Sequence, residues 1–375
     1  MTMAGLYFHI PFCSQKCHYC NFFSQPAKEL LPRYIESVCK EIALQKEYLQ
    51  SPVRTIYFGG GTPSLLEENH FKKIFHAIHR HLNTDPDETT IEVNPNDITA
   101  SYIRMLRHTG FNRLSMGIQS FSDTDLQWLN RSHTGAQARQ AYTTAREGGF
   151  RNISIDLIYG MPIQNINTWK KQIETAMQLR PEHLSAYALT VEKGTALAHF
   201  IHKGIYPPVS DETLAEDFAL LCKILKREGY THYEVSNFAL PGYEAKHNAS
   251  YWDQTHYLGI GASAHSYNGT SRQWNVAAIN KYMEHINRGE IPSEKEELTL
   301  SDQLNEYVLT SLRTAAGCNL SHISTVYGKT EKERIKKNAT RYIQTGLLSC
   351  NKNILKTTQK GWFYIDGIAA ELFTG

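Results

Sequence analysis

The chain lacks any apolar run near the roughly 18–20 residues that a membrane-spanning helix requires. Its longest candidate, residues 218–225, is short and flanked by charge. The N-terminus lacks the basic segment, apolar stretch and small-residue site of a secretory leader. The expected location is therefore the cytoplasm, with no direct membrane span. There is no excess of either charge, with 39 Lys and Arg against 37 Asp and Glu, and a pI near 8.1. Neither nucleic acid nor an anionic membrane is the expected partner. A disulfide framework is also excluded: the seven cysteines are odd in number, and Cys39, Cys222, Cys318 and Cys350 stand alone. Isolated cysteines of this kind read as small buried hydrophobes. No repeat and no low-complexity tract interrupts the 375 residues.

What is present is an alternation of short apolar strands and amphipathic helices. Strands are expected at residues 6–10, 55–58, 90–93, 113–118, 153–158 and 184–189. Between them Phe71, Ile74, Phe75, Ile78 and Leu82 recur at helical spacing. A second stripe, Ile103 and Leu106, stops at Gly110, and another helix closes at Gly148 and Gly149. Six such units in a row imply a parallel sheet, open or rolled into a partial barrel. Residues 210–229 read as one long helix, with Ser210 as N-cap and Gly229 beyond its end. Residues 230–275 fit neither period. We expect a barrel over 1–205, a closing region over 206–275 and a charged, mostly helical domain over 276–375. That domain ends in a small α+β segment around 347–365.

Three cysteines crowd into one loop after the first strand, in the order Cys13-Ser14-Gln15-Lys16-Cys17-His18-Tyr19-Cys20. Their C-x3-C-x2-C spacing wraps a single loop around one iron–sulfur cube. Such cubes commonly take four cysteines. Three leave one iron open to a small molecule with adjacent amine and carboxylate. The alternative is structural zinc, which takes four ligands. His18 would be the fourth here, and no second C-x-x-C pair exists.

The C-x3-C-x-Tyr-Cys run resembles the signature of the radical SAM superfamily. Five further motifs strengthen the likeness, with Tyr7-Phe8-His9-Ile10-Pro11-Phe12 leading into Cys13. They are Gly59-Gly60-Gly61-Thr62-Pro63-Ser64, Glu92-Val93-Asn94-Pro95, Gly117-Ile118-Gln119-Ser120-Phe121, Asn130-Arg131-Ser132-His133 and Asp156-Leu157-Ile158-Tyr159-Gly160. Together they resemble the branch that contains oxygen-independent coproporphyrinogen III oxidase and a related heme chaperone, over nearly the whole chain. The likeness implies an α/β fold: a partial (β/α)6 barrel followed by a small winged-helix-like C-terminal domain. It implies a [4Fe–4S] cluster on Cys13, Cys17 and Cys20, and S-adenosylmethionine (SAM) on the open iron. The implied SAM contacts are Tyr7, Tyr19, Gly60, Gly61, Thr62, Glu92, Gln119, Arg131 and Asp156. Read from the residues alone, Tyr7 and Tyr19 are equally plain core, and Arg131 with Asp156 is a rim ion pair. Each motif closes a strand, the edge at which parallel α/β folds bind ligands.

Two classes of function follow from the likeness: a decarboxylating enzyme, or a protein that binds heme and delivers it to acceptor proteins. Three features favour the second. Phe22 stands where the oxidase carries a further cysteine. Only twelve residues precede Cys13, without the oxidase's longer N-terminal arm. The run His247-Asn248-Ala249-Ser250-Tyr251-Trp252 resembles an H-N-x-x-Y-W motif associated with heme. Neutral imidazole is a common axial ligand of heme iron, and Tyr251 and Trp252 suit a porphyrin face. His9, His18, His133 and His265 are rival ligands. A structural, hydrogen-bonded role for His247 is the plain alternative. Methyl transfer or sulfur insertion is disfavoured, because the remaining cysteines are scattered. No oligomeric state is read from the sequence; a homodimer is compatible with it.

Overall fold

The computed structural model describes residues 3–374; the outermost positions of the first and last expected domains, residues 1–2 and 375, lie outside that range. Six parallel strands pair in chain order: β1 (Ala4–Ile10), β2 (Val53–Gly60), β3 (Thr84–Val93), β4 (Arg113–Gln119), β5 (Ile153–Tyr159) and β6 (His183–Ala188). All six contain the segments expected from the sequence except at residue 189. Most positions along these strands are buried on both faces. That is the reason they read as apolar runs and not as alternating ones. Helices such as Leu31–Leu44, Glu68–His81 and Ala100–His108 cover the outside with their apolar stripes.

The row is extended at both ends. Beside β6 run the antiparallel strands β7 (Thr231–Glu234) and β8 (Asn237–Ala239). Beside β1 run β9 (His256–Ile260), then β10 (His265–Tyr267), β11 (Ser271–Asn275) and β12 (Ser293–Glu297). The twelve strands form one sheet whose two edges, β7 and β12, do not meet: a partial barrel. Strands of three to five residues explain why 230–275 fits neither period. The helix Asp211–Arg227 begins where expected, with Ser210 Oγ accepting from Thr213 N at 3.2 Å. Ser210→Ala should lower stability by about 1 kcal/mol, read as a shift in the urea midpoint.

The expected boundary near 275 is corrected. Beyond it, β12 still belongs to the barrel sheet, and the helix Ile279–Asn287 buries Tyr282 and Met283 in the first core. A separate core begins with the helix Leu300–Leu312 and gathers Leu304, Val308, Leu320, Ile335, Leu355 and Leu372. It is covered by a small sheet of β13 (Cys318–Asn319), β14 (Leu348–Asn351) and β15 (Ile354–Thr357), in the order β13-β15-β14. The α+β segment expected around 347–365 holds the β14–β15 hairpin and a short 3-10 turn at Trp362–Tyr364, and the chain returns to helix at Ile365–Leu372. The two cores are joined by backbone: Val235 N donates to Arg313 O at 3.0 Å and Ala315 N to Tyr233 O at 2.9 Å. This segment covers the β7 edge, which would otherwise offer unpaired backbone groups. Among the described residues no helix is long and apolar enough to cross a membrane.

Candidate functional site

The ends of β1 to β6 converge on a cavity of about 440 Å³. Cys13, Cys17 and Cys20 form one side of it. Their loop is held from two directions. Thr62 N donates to Phe12 O at 2.7 Å, and Gly61 N to Ile10 O at 2.9 Å. From the opposite side His18 N donates to Leu129 O, and Asn130 Nδ2 to Lys16 O at 2.8 Å. Among the described residues no three Cys, His, Asp or Glu side chains converge on a point suited to a single metal ion. Three thiols along one wall of a cavity are a donor set for a cube, which takes one iron per cysteine. His18, the fourth zinc ligand considered above, has its Nδ1 2.9 Å from Trp128 O and its ring edge-on to Phe200.

Arg131 supplies the second test of fit. Its guanidinium donates to Gly117 O at 2.5 Å and lies 3.6 Å from Cys17 Sγ, while its buried Nε has no partner. The rim ion pair with Asp156 is not formed; Arg131 turns to the cysteines. A buried cation needs a nearby anion, and a thiolate-ligated cluster beside Cys17 is one. Tyr19 packs on Leu129, Ile158 and Met161 at the same wall, and burial beside Cys17 pushes its hydroxyl pKa up.

The opposite side is acidic. Glu92, at the end of β3, accepts from Tyr57 Oη at 2.9 Å and from Gly60 N at 3.1 Å. Burial, reinforced by the charge of Asp156, pushes its pKa up to about 7. Asp156 on β5 is raised too, by burial, and accepts from Ser115 Oγ at 3.3 Å. Two desolvated carboxylates without a paired cation fit a ligand that carries its own positive charge. The glycine loop agrees. The N–H groups of Gly60, Gly61 and Thr62 are all taken by Glu92, Ile10 and Phe12. It therefore offers no anion cradle, and the chemistry left to it is acceptance from a cationic amine. Gly60 has φ +106, and a Cβ there would come within 2.6 Å of the His9 ring, so only glycine fits.

Gln119 shows a feature the sequence did not disclose. It has φ +68, and Ser120 N donates to Ile118 O across it at 2.9 Å, a strained three-residue turn. The turn coincides with a break in register between β4 and β5 and aims Gln119 into the cavity. Of the nine expected SAM contacts, Tyr19, Gly60, Gly61, Thr62, Glu92, Gln119, Arg131 and Asp156 line this cavity. Tyr7 does not. Its hydroxyl turns to His9 Nδ1 at 3.1 Å and its ring stacks on Tyr57, which places it on a second cavity. Ser115 and Tyr187 also line the first cavity and carry no motif that announces them.

The second cavity, about 600 Å³, adjoins the first and shares Glu92, Tyr187, Ala188 and Thr190 with it. Its walls include Tyr7, Tyr57, His247, Asn248, Tyr251, Trp252 and, from the C-terminal domain, Trp362 and Phe363. The helix Lys246–Trp252 is set by Glu88, which accepts from Lys246 N and His247 N. An open iron ligand at His247 is not what the structure presents. Nδ1 meets Thr55 Oγ1 at 2.8 Å and Nε2 meets Tyr251 Oη at 2.9 Å. Burial lowers the imidazole pKa to about 3, so the ring is neutral. Of the rivals, His9 and His133 are bonded to backbone carbonyls and His265 stacks on Trp274. None of the rivals lines this cavity.

Comparison with known proteins gives a consistent picture. Residues 7–176 match the Radical SAM superfamily and residues 298–364 the HemN C-terminal domain. The chain is 34% identical to heme chaperone HemW of Bacillus subtilis, over 96% of each chain. It is 34% identical to heme chaperone HemW of Mycobacterium tuberculosis, over 98% of this chain and 94% of that one. It is 32% identical to a mitochondrial radical S-adenosyl methionine domain-containing protein 1 of Bos taurus, over 85% and 75%. Among solved structures, Escherichia coli coproporphyrinogen III oxidase HemN, a radical SAM enzyme, superposes with a TM-score of 0.86. That match covers 100% of this chain and 90% of that one at 24% identity, a likeness of fold.

Proposed function

Because the chain belongs to the HemW family within the radical SAM superfamily, we propose that it is a heme chaperone. In this reading it binds heme in the second cavity and hands it to acceptor proteins in the cytoplasm. The observation that carries the reading is the aromatic cavity of about 600 Å³ beside the cysteine cavity, with a neutral histidine in its wall. Cys13, Cys17 and Cys20 would hold the [4Fe–4S] cluster, with Arg131 as counter-charge. Glu92, Asp156 and the glycine loop would hold SAM. When bound, the pair supplies one-electron chemistry at a sulfonium.

The chain's own residues account for heme. With the proton of His247 on Nδ1 and directed at Thr55, the Nε2 lone pair accepts from Tyr251. That lone pair is the one iron would take, and the Thr55 contact orients the ring as outer partners of metal ligands do. Tyr251 therefore covers the ligand, and heme entry exchanges a hydroxyl for iron. Glu92 stands in the wall common to both cavities.

Hemin titration of the reconstituted protein tests this. Wild type should bind one hemin per chain. His247→Ala should weaken binding by about ten-fold or more, the value of one lost ligand or charge-assisted contact. Tyr251→Phe should tighten it. Neither should change the cluster's visible absorption. Hemin retention unaffected by His247→Ala would remove the ligand assignment. Conversion of coproporphyrinogen III to protoporphyrinogen, followed anaerobically by mass, would make the protein an oxidase instead.

A further inference from the structure

Three residues on the second cavity each hold a buried atom with no hydrogen-bond partner: Glu234 Oε1, Asn237 Oδ1 and Arg313 Nε, the last on a side chain that is otherwise part-exposed. Glu234 and Asn237 are only 1% and 4% exposed. Buried polar atoms are ordinarily satisfied, and each exception requires an explanation. Three exceptions on one wall indicate a ligand that completes them.

The chemistry of that ligand follows from Arg313. Its guanidinium lies over the Trp252 ring at 5.0 Å, and Nη1 is paired with Asp366 at 3.2 Å. The Nε edge is left over, the edge that grips a carboxylate through two parallel N–H donors. Asp366 takes only one corner of the fork. Glu234 stands beside it; burial pushes its pKa up to about 7 against the opposing hydrogen bonds from Ser236 and Asn237 and the charge of Arg313, so the protonated form is available as a donor. An arginine fork, a carboxylic acid and an adjoining aromatic wall fit a flat aromatic ring system with an ionised carboxylate arm.

We propose that Arg313, assisted by Glu234, is the carboxylate-binding residue of the second cavity and selects planar macrocycles with free acid side chains. The proposal rests on the heme reading above and deepens it. It also gives the C-terminal domain a part in the site, because Arg313, Trp362 and Phe363 come from that side of the junction. The position of Arg313 is fixed by backbone, through the Val235 N to Arg313 O bond, so a side-chain change leaves the junction in place.

The experiment compares hemin with hemin dimethyl ester, which keeps the ring and iron and removes both carboxylates. Wild-type protein, with its cluster reconstituted, should prefer the free acid by about ten-fold or more. Arg313→Met, which keeps an apolar stem over Trp252, should lower hemin affinity to that of the ester and leave ester affinity unchanged. Arg313→Lys, which keeps the charge without the fork, should recover part of the preference. Glu234→Gln, a neutral donor of the same shape, should retain it. Equal affinity of wild type for acid and ester overturns the proposal while leaving heme binding intact. Retention of the preference in both Arg313 variants also overturns it. Failure of wild type to bind either compound overturns the heme reading and this one together. Unchanged cluster absorption in each variant separates a local effect from misfolding.

Discussion

Serine in place of Cys13, Cys17 or Cys20 should abolish assembly of the iron–sulfur cluster, with loss of visible absorption and of iron and sulfide on analysis. The effect is expected to be all or none for each position. A cube with three protein ligands has none to spare, and among the described residues no neighbouring side chains form a substitute metal site. The same change at the other cysteines is the control. Cys222 and Cys318 lie in the two apolar cores, Cys39 packs on the outside of the first, and Cys350 is exposed on β14. Their serine variants should retain full iron. Retention of the cluster in any one of the three loop variants would remove that cysteine from the ligand set. Loss in a control variant with native stability would implicate a ligand from elsewhere in the chain.

Glu92→Gln should separate stability from binding. In the folded chain this carboxyl is displaced upward from 4.5 to about 7. The fold therefore prefers the protonated form. Its stability is fully expressed below pH 4.5 and is lost progressively as pH rises toward 7. Once ionised, the carboxylate costs the cofactor-free protein about 3 kcal/mol. Glutamine does not ionise, so the variant should melt higher than wild type, by more at about pH 8 than at about pH 6. Part of the gain is offset because an amide accepts from only one of Tyr57 and Gly60. SAM affinity should fall by about one hundred-fold, the scale of removing one partner from a buried charge pair. Normal SAM binding by the Glu92→Gln protein would show that Glu92 is a structural acid. A melting gain that does not grow with pH would show that the carboxyl is already ionised in the fold.

The parts of this molecule that could be read from sequence are those whose physics is local. A strand buried on both faces appears as a short apolar run, which is why β1 to β6 were legible. Cysteine spacing within one loop is equally local. The sheet's ends were not, because β8 and β10 have three residues each and show no period. The misplaced boundary has the same origin. Ser293–Glu297, beyond it, is a polar strand, a charged edge of the kind that resists pairing with other chains. Tyr251 over His247 is an i,i+4 contact and lay within reach of a helical reading. The Gln119 turn, and the meeting of Glu234 with Arg313 across the domain junction, come from tertiary packing. For the latter the only local sign was an acid between Tyr233 and Val235.

The cysteine loop is clasped by residues far apart in the chain, Thr62 on one side and Leu129 and Asn130 on the other. On the ribosome these emerge in that order. At about 5–20 residues per second the interval between Cys20 and Asn130 lasts roughly 5–20 s. For that time the nascent chain carries three thiols without the Leu129 and Asn130 side of their enclosure. The loop is then at its most accessible to an iron–sulfur donor and also to oxidants. Loading during synthesis and loading afterwards thus meet differently shaped sites, and translation speed becomes a variable in how much of the protein matures with its metal.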